Sequence, residues 1–326
     1  MTADTSEAFW ITGEKTGEIR QTRVEPFEDN HVRVRSLYSG ISRGTESLVF
    51  RGRVPENQYH AMRAPHQEGD FPWPVKYGYA NIGRVLEGPP ALRGRNVFCL
   101  YPHQREYVVP AAQVMPLLDG VPPGRAVLTA NMETAVNGLW DAAPRVGDRI
   151  AVIGAGTVGC LVAYLARRIA GCRPQLIDID PGKANIASDL SIDFTTPQEA
   201  NGDLDLVIHT SGQPAGLRTA LALAGFEAAV VEMSWYGNNS VELPLGEAFH
   251  AKRLTLRSSF VGTVAAAQRA RWSRRRRLAL ALALLADPCL DSLITGESPF
   301  HALPETLAKI SDAPGGVLCH RISYPE

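Results

Sequence analysis

Gly154, Gly156 and Gly159 are the residues of this chain whose type and spacing most directly imply chemistry. They close the apolar run Ile150-Ala-Val-Ile153 and open a run of small and aliphatic residues, so strand, turn and helix follow one another without a gap. Gly154 permits a tight turn, Gly156 lets the backbone approach a phosphate with no Cβ in the way, and Gly159 lets the helix pack close to the sheet. Thr157 and Val158 complete the turn. The first N–H groups and the positive dipole end of the helix then face an anion, and the implied chemistry is the binding of a dinucleotide pyrophosphate.

A second chemical group follows at a fixed distance. The spacing predicts a helix over Cys160 to Ala170 stopped by Gly171, then a strand, Pro174-Gln-Leu-Ile-Asp178-Ile-Asp180, with Asp178 lying 19 residues past Gly159. A carboxylate there accepts both hydroxyls of a ribose and repels a 2′-phosphate, which predicts NAD rather than NADP. The alternative is a solvated acid at a strand end. Lys183 could reach the same ribose from the next helix, or be an ordinary surface lysine.

Composition narrows the function classes. With 326 residues, two domains are expected, and a formal charge of −1 offers no general attraction to nucleic acid or to an anionic membrane. The content, 45% hydrophobic and 21% charged, is that of a soluble globular protein. Met1-Thr-Ala-Asp-Thr-Ser-Glu7 has neither a basic start nor an apolar core, so the expectation is a cytoplasmic protein. The apolar stretch Leu278 to Ala286 is about half the length a bilayer needs. The cysteines Cys99, Cys160, Cys172, Cys289 and Cys319 form no CxxC pair, as expected of reduced thiols rather than a thiolate metal site. The basic run from Arg269 to Arg277 reads as the solvated part of an amphipathic helix.

Around these groups the chain changes texture once. From Phe9 to about Leu118 it shows short strands broken by Gly and Pro, as in His31-Val-Arg-Val-Arg-Ser-Leu-Tyr38, where polar and apolar residues alternate. Helical character runs from Ala126 to Ala142. Strand candidates then alternate with helices: Ile150–Ile153, Gln175–Ile179, Phe194–Thr195, Leu206–Thr210, Ala229–Met233 and Leu254–Ser258, the pattern of a parallel, doubly wound α/β sheet. The expected domains are 1–125, 126–264 and a return segment 265–326.

This order resembles the medium-chain dehydrogenase/reductase superfamily, the alcohol dehydrogenase relatives, over nearly the whole chain. Val146-Gly-Asp-Arg-Ile-Ala-Val-Ile-Gly-Ala-Gly156 is similar to the family's entry into the nucleotide fold, and Leu293-Ile-Thr-Gly-Glu-Ser-Pro-Phe300 to its return segment. Ser39-Gly-Ile-Ser-Arg-Gly-Thr-Glu46 resembles the branch that includes bacteriochlorophyllide 3-hydroxyethyl dehydrogenases. The resemblance implies a GroES-like β-rich catalytic domain joined to a Rossmann sheet. It also exposes departures: the three positions that bind catalytic zinc in the family are here Ser42, Tyr79 and Ala130, and Val97-Phe-Cys-Leu-Tyr-Pro102 runs into Glu106-Tyr-Val-Val-Pro110 with no four-cysteine lobe. Ser, Tyr and Ala are not zinc ligands, so no metal is expected.

The resemblance implies the remaining site residues. Without metal, hydroxyl donors must hold the substrate oxygen; Tyr79 is the first candidate, beside Ser42, with Thr45 and Thr134 near the nicotinamide. His103, after Leu100-Tyr101-Pro102, is an alternative acid/base. Arg43 corresponds to a position that reaches the pyrophosphate, and Thr210 stands with the cofactor residues. Phe71, Trp73, Tyr101 and Trp235 are expected to line an apolar pocket for a bulky or planar small molecule. Three functions follow: an NAD(H) oxidoreductase of a secondary alcohol or carbonyl, a reductase of a C=C bond conjugated to a carbonyl, or a catalytically silent NAD-binding sensor. Arg253-Leu-Thr-Leu-Arg-Ser-Ser259 has the alternation of an edge strand that pairs across a two-fold axis, so a homodimer is expected.

Overall fold

The alternation at His31 arises because one face of that segment is covered: Val32, Val34 and Ser36 are buried, and Arg35 is exposed. In the computed structural model, which describes residues 5–312 and 315–325, this strand runs His31–Ile41 and is the hub of the first of two units. It pairs antiparallel with Asn81–Glu87, Glu106–Pro110 and Cys319–Ser323. Its buried face packs Val32 and Val34 with Val85, Val97, Tyr107 and Val109. The first unit comprises 1–130, 282–286 and 294–326, so the C-terminal strands Ile294–Pro299 and Cys319–Ser323 return to the sheet of His31–Ile41. Helix Arg43–Phe50 leaves the end of the hub strand directly, which fixes the first turn of that helix against the sheet.

The second unit comprises 131–281 and 287–293. Among its described residues a six-stranded parallel sheet has the spatial order Asp193–Thr195, Gln175–Ile177, Ile150–Ile153, Leu204–His209, Ala224–Glu232, Thr255–Ser258. The order reverses at Ile150–Ile153, the topological switch point where doubly wound sheets hold ligands beyond their strand ends. The central strands carry aliphatic residues on both faces because helices cover both, and Ala151, Ile153, Val207, Leu217, Leu221 and Val230 share one core.

Three expectations are corrected here. The helix after the glycine turn spans Thr157–Ala166, not Cys160 to Ala170; the chain uncoils over the next residues and reverses at Gly171, whose φ is +75°. The stretch from Ala126 to Ala142 is two helices, Pro123–Ala126 and Thr129–Ala142. The basic run is not uniformly solvated. Arg269, Arg271 and Arg274 to Arg276 are exposed, but Arg277 is 2% exposed and lies on the stripe of helix Arg274–Ala283 that also buries Leu278 and Ala281. Its guanidinium is satisfied by Glu133 at 3.0 Å, by the carbonyls of Val261 at 2.6 Å and Thr263 at 3.3 Å, and by Asn137. A buried charge persists when paired and hydrogen-bonded in this way.

Candidate active site

Two sets of side chains carry the chemistry, one in each unit. In the second unit, Ile150–Ile153 ends at Gly154, where φ is +105°. A Cβ on Gly154 would stand 2.7 Å from the Ser211 backbone, and one on Gly159 would stand 1.9 Å from the Gly154 carbonyl oxygen, so neither position accepts a side chain. The helix that follows starts at Thr157 and Val158 with Gly156 as its N-cap and no side-chain cap, leaving its first amides available to an anion.

Asp178 directly follows Gln175–Ile177 and fastens that strand end to the turn: Oδ2 accepts from the Ala155 amide at 2.7 Å, and Oδ1 from the Asp180 amide at 3.0 Å. Thr210 is also tied to the turn, its Oγ1 donating to the carbonyls of Ile153 at 3.1 Å and Gly154 at 2.9 Å. Lys183 is not a surface lysine. It closes the 3-10 turn Pro181–Lys183, is 7% exposed, and its Nζ has no hydrogen-bond partner among the described residues. Lys183 and Asp178 both bear electrostatically on the Cys160 thiol, which burial pushes up to about 12. A buried ammonium without a partner is costly, and hydroxyl or phosphate oxygens at the turn would satisfy it.

In the first unit, Ser42 caps helix Arg43–Phe50 and Glu46 reaches back to it, with Oε1 accepting from the Ser42 amide at 2.7 Å. The Tyr79 hydroxyl meets the hydroxyls of Ser42 and Thr45. Burial first, and the Glu46 carboxylate second, push its pKa up to about 12, while the two hydroxyls draw it down. Tyr79 is half-buried, as are Arg43 and Thr45 on the first turn of the helix. Thr134 belongs to the second unit, half-buried on Thr129–Ala142.

His103, the alternative acid/base of the sequence reading, is enclosed and hydrogen-bonded on both sides. It is fully buried, with Nε2 at 2.9 Å from Glu46 Oε2 and Nδ1 at 2.6 Å from Ser39 Oγ. Ser39 in turn meets the Tyr324 hydroxyl at 2.8 Å. Glu46 is therefore the carboxylate that links Tyr79 electrostatically to His103, and sequence reasoning passed over Glu46, Ser39 and Tyr324. The signal for Glu46 was available: an acid four residues past Ser42, at the start of a helix. Tyr324 had none, because only the return strand Cys319–Ser323 brings it there.

The aromatic residues separate. Phe71 packs between Tyr59 and Tyr77, at centroid distances of 5.6 and 5.7 Å, and Tyr77 meets Tyr79 edge-on at 6.1 Å, so Phe71 continues the row that ends at Tyr79. Trp73 is half-buried against Gly52, and Trp235 is half-buried in the second unit. Tyr101, expected in the pocket wall, belongs to the core of the first unit. It stacks on Tyr107 at 3.8 Å inside the valine-rich core, because its ring fills the interior of the first unit's sheet. Among the described residues no group of three or more His, Cys, Asp or Glu is placed to hold a metal.

The sequence matches no protein-family model. It is similar to D-guloside 3-dehydrogenase of Escherichia coli, 23% identical over 327 residues that cover 91% of each chain. The structure superposes on L-idonate 5-dehydrogenase from Escherichia coli with a TM-score of 0.82, 17% identity and 99% coverage of both chains. The chain has the fold of the medium-chain dehydrogenase/reductase superfamily. An Escherichia coli alcohol dehydrogenase crystallised with NADH shares that fold at a TM-score of 0.76 and 16% identity, over 98% of this chain and 99% of that one.

Proposed function

We propose that this protein is an NAD(H)-dependent oxidoreductase that interconverts a secondary alcohol and its carbonyl on a bulky or planar small molecule. The similarity to sugar and polyol dehydrogenases supports the reaction class. The observation that carries the cofactor is the buried, partnerless Lys183 ammonium that closes the 3-10 turn after Asp178. Asp178 supports NAD over NADP, since a carboxylate at this strand end would repel a 2′-phosphate. Gly156, Thr157 and Val158 serve the pyrophosphate in this reading.

When bound, the nicotinamide ring supplies or accepts the hydride. The chain's own part is to orient the substrate oxygen and stabilise its charge. Tyr79 stays protonated at neutral pH, so it acts as a hydrogen-bond donor to that oxygen and not as a phenolate base. Ser42 and Thr45 hold the phenol, and Phe71 and Trp73 supply the apolar wall. The reading is zinc-free: Ser42, Tyr79 and Ala130 offer no thiolate, imidazole or carboxylate, and the neighbouring Glu46 and His103 are paired with one another. Thr255–Ser258 lies at the edge of its sheet with Thr255, Arg257 and Ser258 exposed, which supports a homodimer, and the five free thiols support a cytoplasmic setting. No helix among the described residues is long and apolar enough to cross a membrane.

The test is a fluorescence titration with NADH and NADPH on wild type and Lys183→Met. NADH should bind more tightly than NADPH and lose at least tenfold in the variant, as expected for a charged hydrogen-bond donor. Tighter NADPH binding would overturn the NAD assignment, and no binding of either would overturn the cofactor. Elemental analysis that found one zinc per chain would reject the zinc-free mechanism.

A further inference from the structure

A second buried histidine lies beside the glycine turn, in a place where the strand otherwise carries aliphatic residues. His209 ends Leu204–His209 after Leu206, Val207 and Ile208, and is fully buried. Both ring nitrogens are occupied: Nδ1 lies 2.7 Å from Glu232 Oε2, and Nε2 lies 2.6 Å from Ser211 Oγ. Glu232 also accepts from the Tyr236 hydroxyl at 2.9 Å and from the Ser234 amide at 2.6 Å. Burial opposes its charge, yet these donors hold its carboxyl below the usual glutamate range.

These contacts fix the direction of the hydrogen bond at Nδ1, and a neutral ring fixes the one at Nε2. A carboxylate can only accept, so Nδ1 carries the proton. With the ring neutral, Nε2 is then an acceptor, and Ser211 must donate its only hydroxyl proton inward. The Gln213 amide donates to Ser211 Oγ at 3.2 Å, which leaves a lone pair on a half-buried oxygen. Ser211 abuts the turn, since its backbone is what excludes a Cβ from Gly154. Helix Pro214–Leu223 makes room for the pair with a glycine in its first turn: a Cβ on Gly216 would stand 2.5 Å from Ser211 Oγ and 2.6 Å from His209 Nε2. Glycine inside a helix is unfavourable, so its presence here is explained by the hydrogen bond it clears.

We infer that Ser211 is a hydrogen-bond acceptor for the nicotinamide half of the dinucleotide, and that His209 and Glu232 are positioning residues that impose this polarity. The inference rests on the dinucleotide reading above. Asp178 and Lys183 sit on one side of the switch point and serve the adenosine ribose in that reading; Ser211 lies on the other side, after Leu204–His209. The donors available on that half are the carboxamide N–H and the ribose O–H groups, whereas phosphate oxygens offer no donor.

The polarity is read directly by long-range ¹H–¹⁵N correlation spectra of histidine-labelled protein, with His209 assigned through His209→Asn. The expected signature is a neutral ring protonated at Nδ1; an Nε2–H tautomer or an imidazolium overturns the proposal. Binding is read by titrating NADH, ADP-ribose and ADP into wild type and Ser211→Ala. NADH should weaken about fivefold to tenfold, the range for one lost hydrogen bond, with ADP unchanged. Unchanged ADP-ribose affinity assigns the carboxamide as the donor, and a parallel loss assigns the ribose. Equal NADH affinity in the two proteins, or an equal loss for ADP, overturns the role. Wild type that bound none of the three would instead reject the dinucleotide reading itself.

Discussion

The two units hold the same three residue types in opposite settings. In each, a fully buried histidine places one nitrogen on a glutamate and the other on a serine: His103 with Glu46 and Ser39, His209 with Glu232 and Ser211. In the first unit the serine points inward to Tyr324, so the network closes within the core and its other end is the glutamate beside Tyr79. In the second unit the glutamate is enclosed by Tyr236 and Ser234, and the open end is the serine at the glycine turn. The same residue types therefore present different ends: the buried Glu46 beside Tyr79 in the first unit, and the half-buried Ser211 beside the glycine turn in the second.

The comparison breaks most visibly at Tyr79. Tyr79→Phe keeps the ring and its contact with Tyr77 but removes the donor, so turnover should fall by roughly two to three orders of magnitude with NADH affinity preserved. Near-normal turnover would leave Tyr79 as packing alone. His103→Asn tests whether the first network is mainly a brace: it leaves the buried Glu46 without its imidazole, and urea unfolding should show a loss on the order of 3 kcal/mol, with a smaller effect on turnover than Tyr79→Phe. If stability held and turnover vanished, His103 would belong to the proton path.

Asp178→Ala sharpens the contrast from the binding side. It should weaken NADH by about tenfold and NADPH far less, since one ligand loses an acceptor and the other loses a repulsion. Gly216→Ala should cost affinity for NADH by only a few-fold, because a methyl group there displaces the Ser211 hydroxyl without removing it. The smallest effect concerns pH. Glu232 has its folded-state pKa lowered, so its contribution to stability is present above the ordinary glutamate pKa and is lost as pH falls through the lower folded value. Glu232→Gln should flatten the acid limb of a melting-temperature profile, and an unaltered limb would detach Glu232 from the ionised network.

The glycine turn, Asp178 and the alternation of parallel strands were legible because each is a local pattern: a strand, turn and helix within one short segment impose their own residue types. That Tyr79 lies beside Ser42 was legible too, through the register of the family resemblance. Tyr101 was misplaced because a proline-flanked aromatic looks the same whether its ring turns toward a pocket or onto Tyr107. Arg277 was misread because a run of arginines gives no sign that one of them meets Glu133 and two carbonyls from a distant loop.

What the sequence by itself determined is the location of the glycine turn, the acid that follows it and the doubly wound order of the second unit, since backbone conformation and hydrophobic period act over a few residues. Only the tertiary structure decided the state of the polar groups. Lys183 became a buried cation, His103 and His209 became two-sided links, and Glu46 and Glu232 became fixed acceptors. Their partners lie up to 64 residues away along the chain, as between His103 and Ser39, and a side chain's charge and hydrogen-bond direction depend on the burial and neighbours that folding supplies.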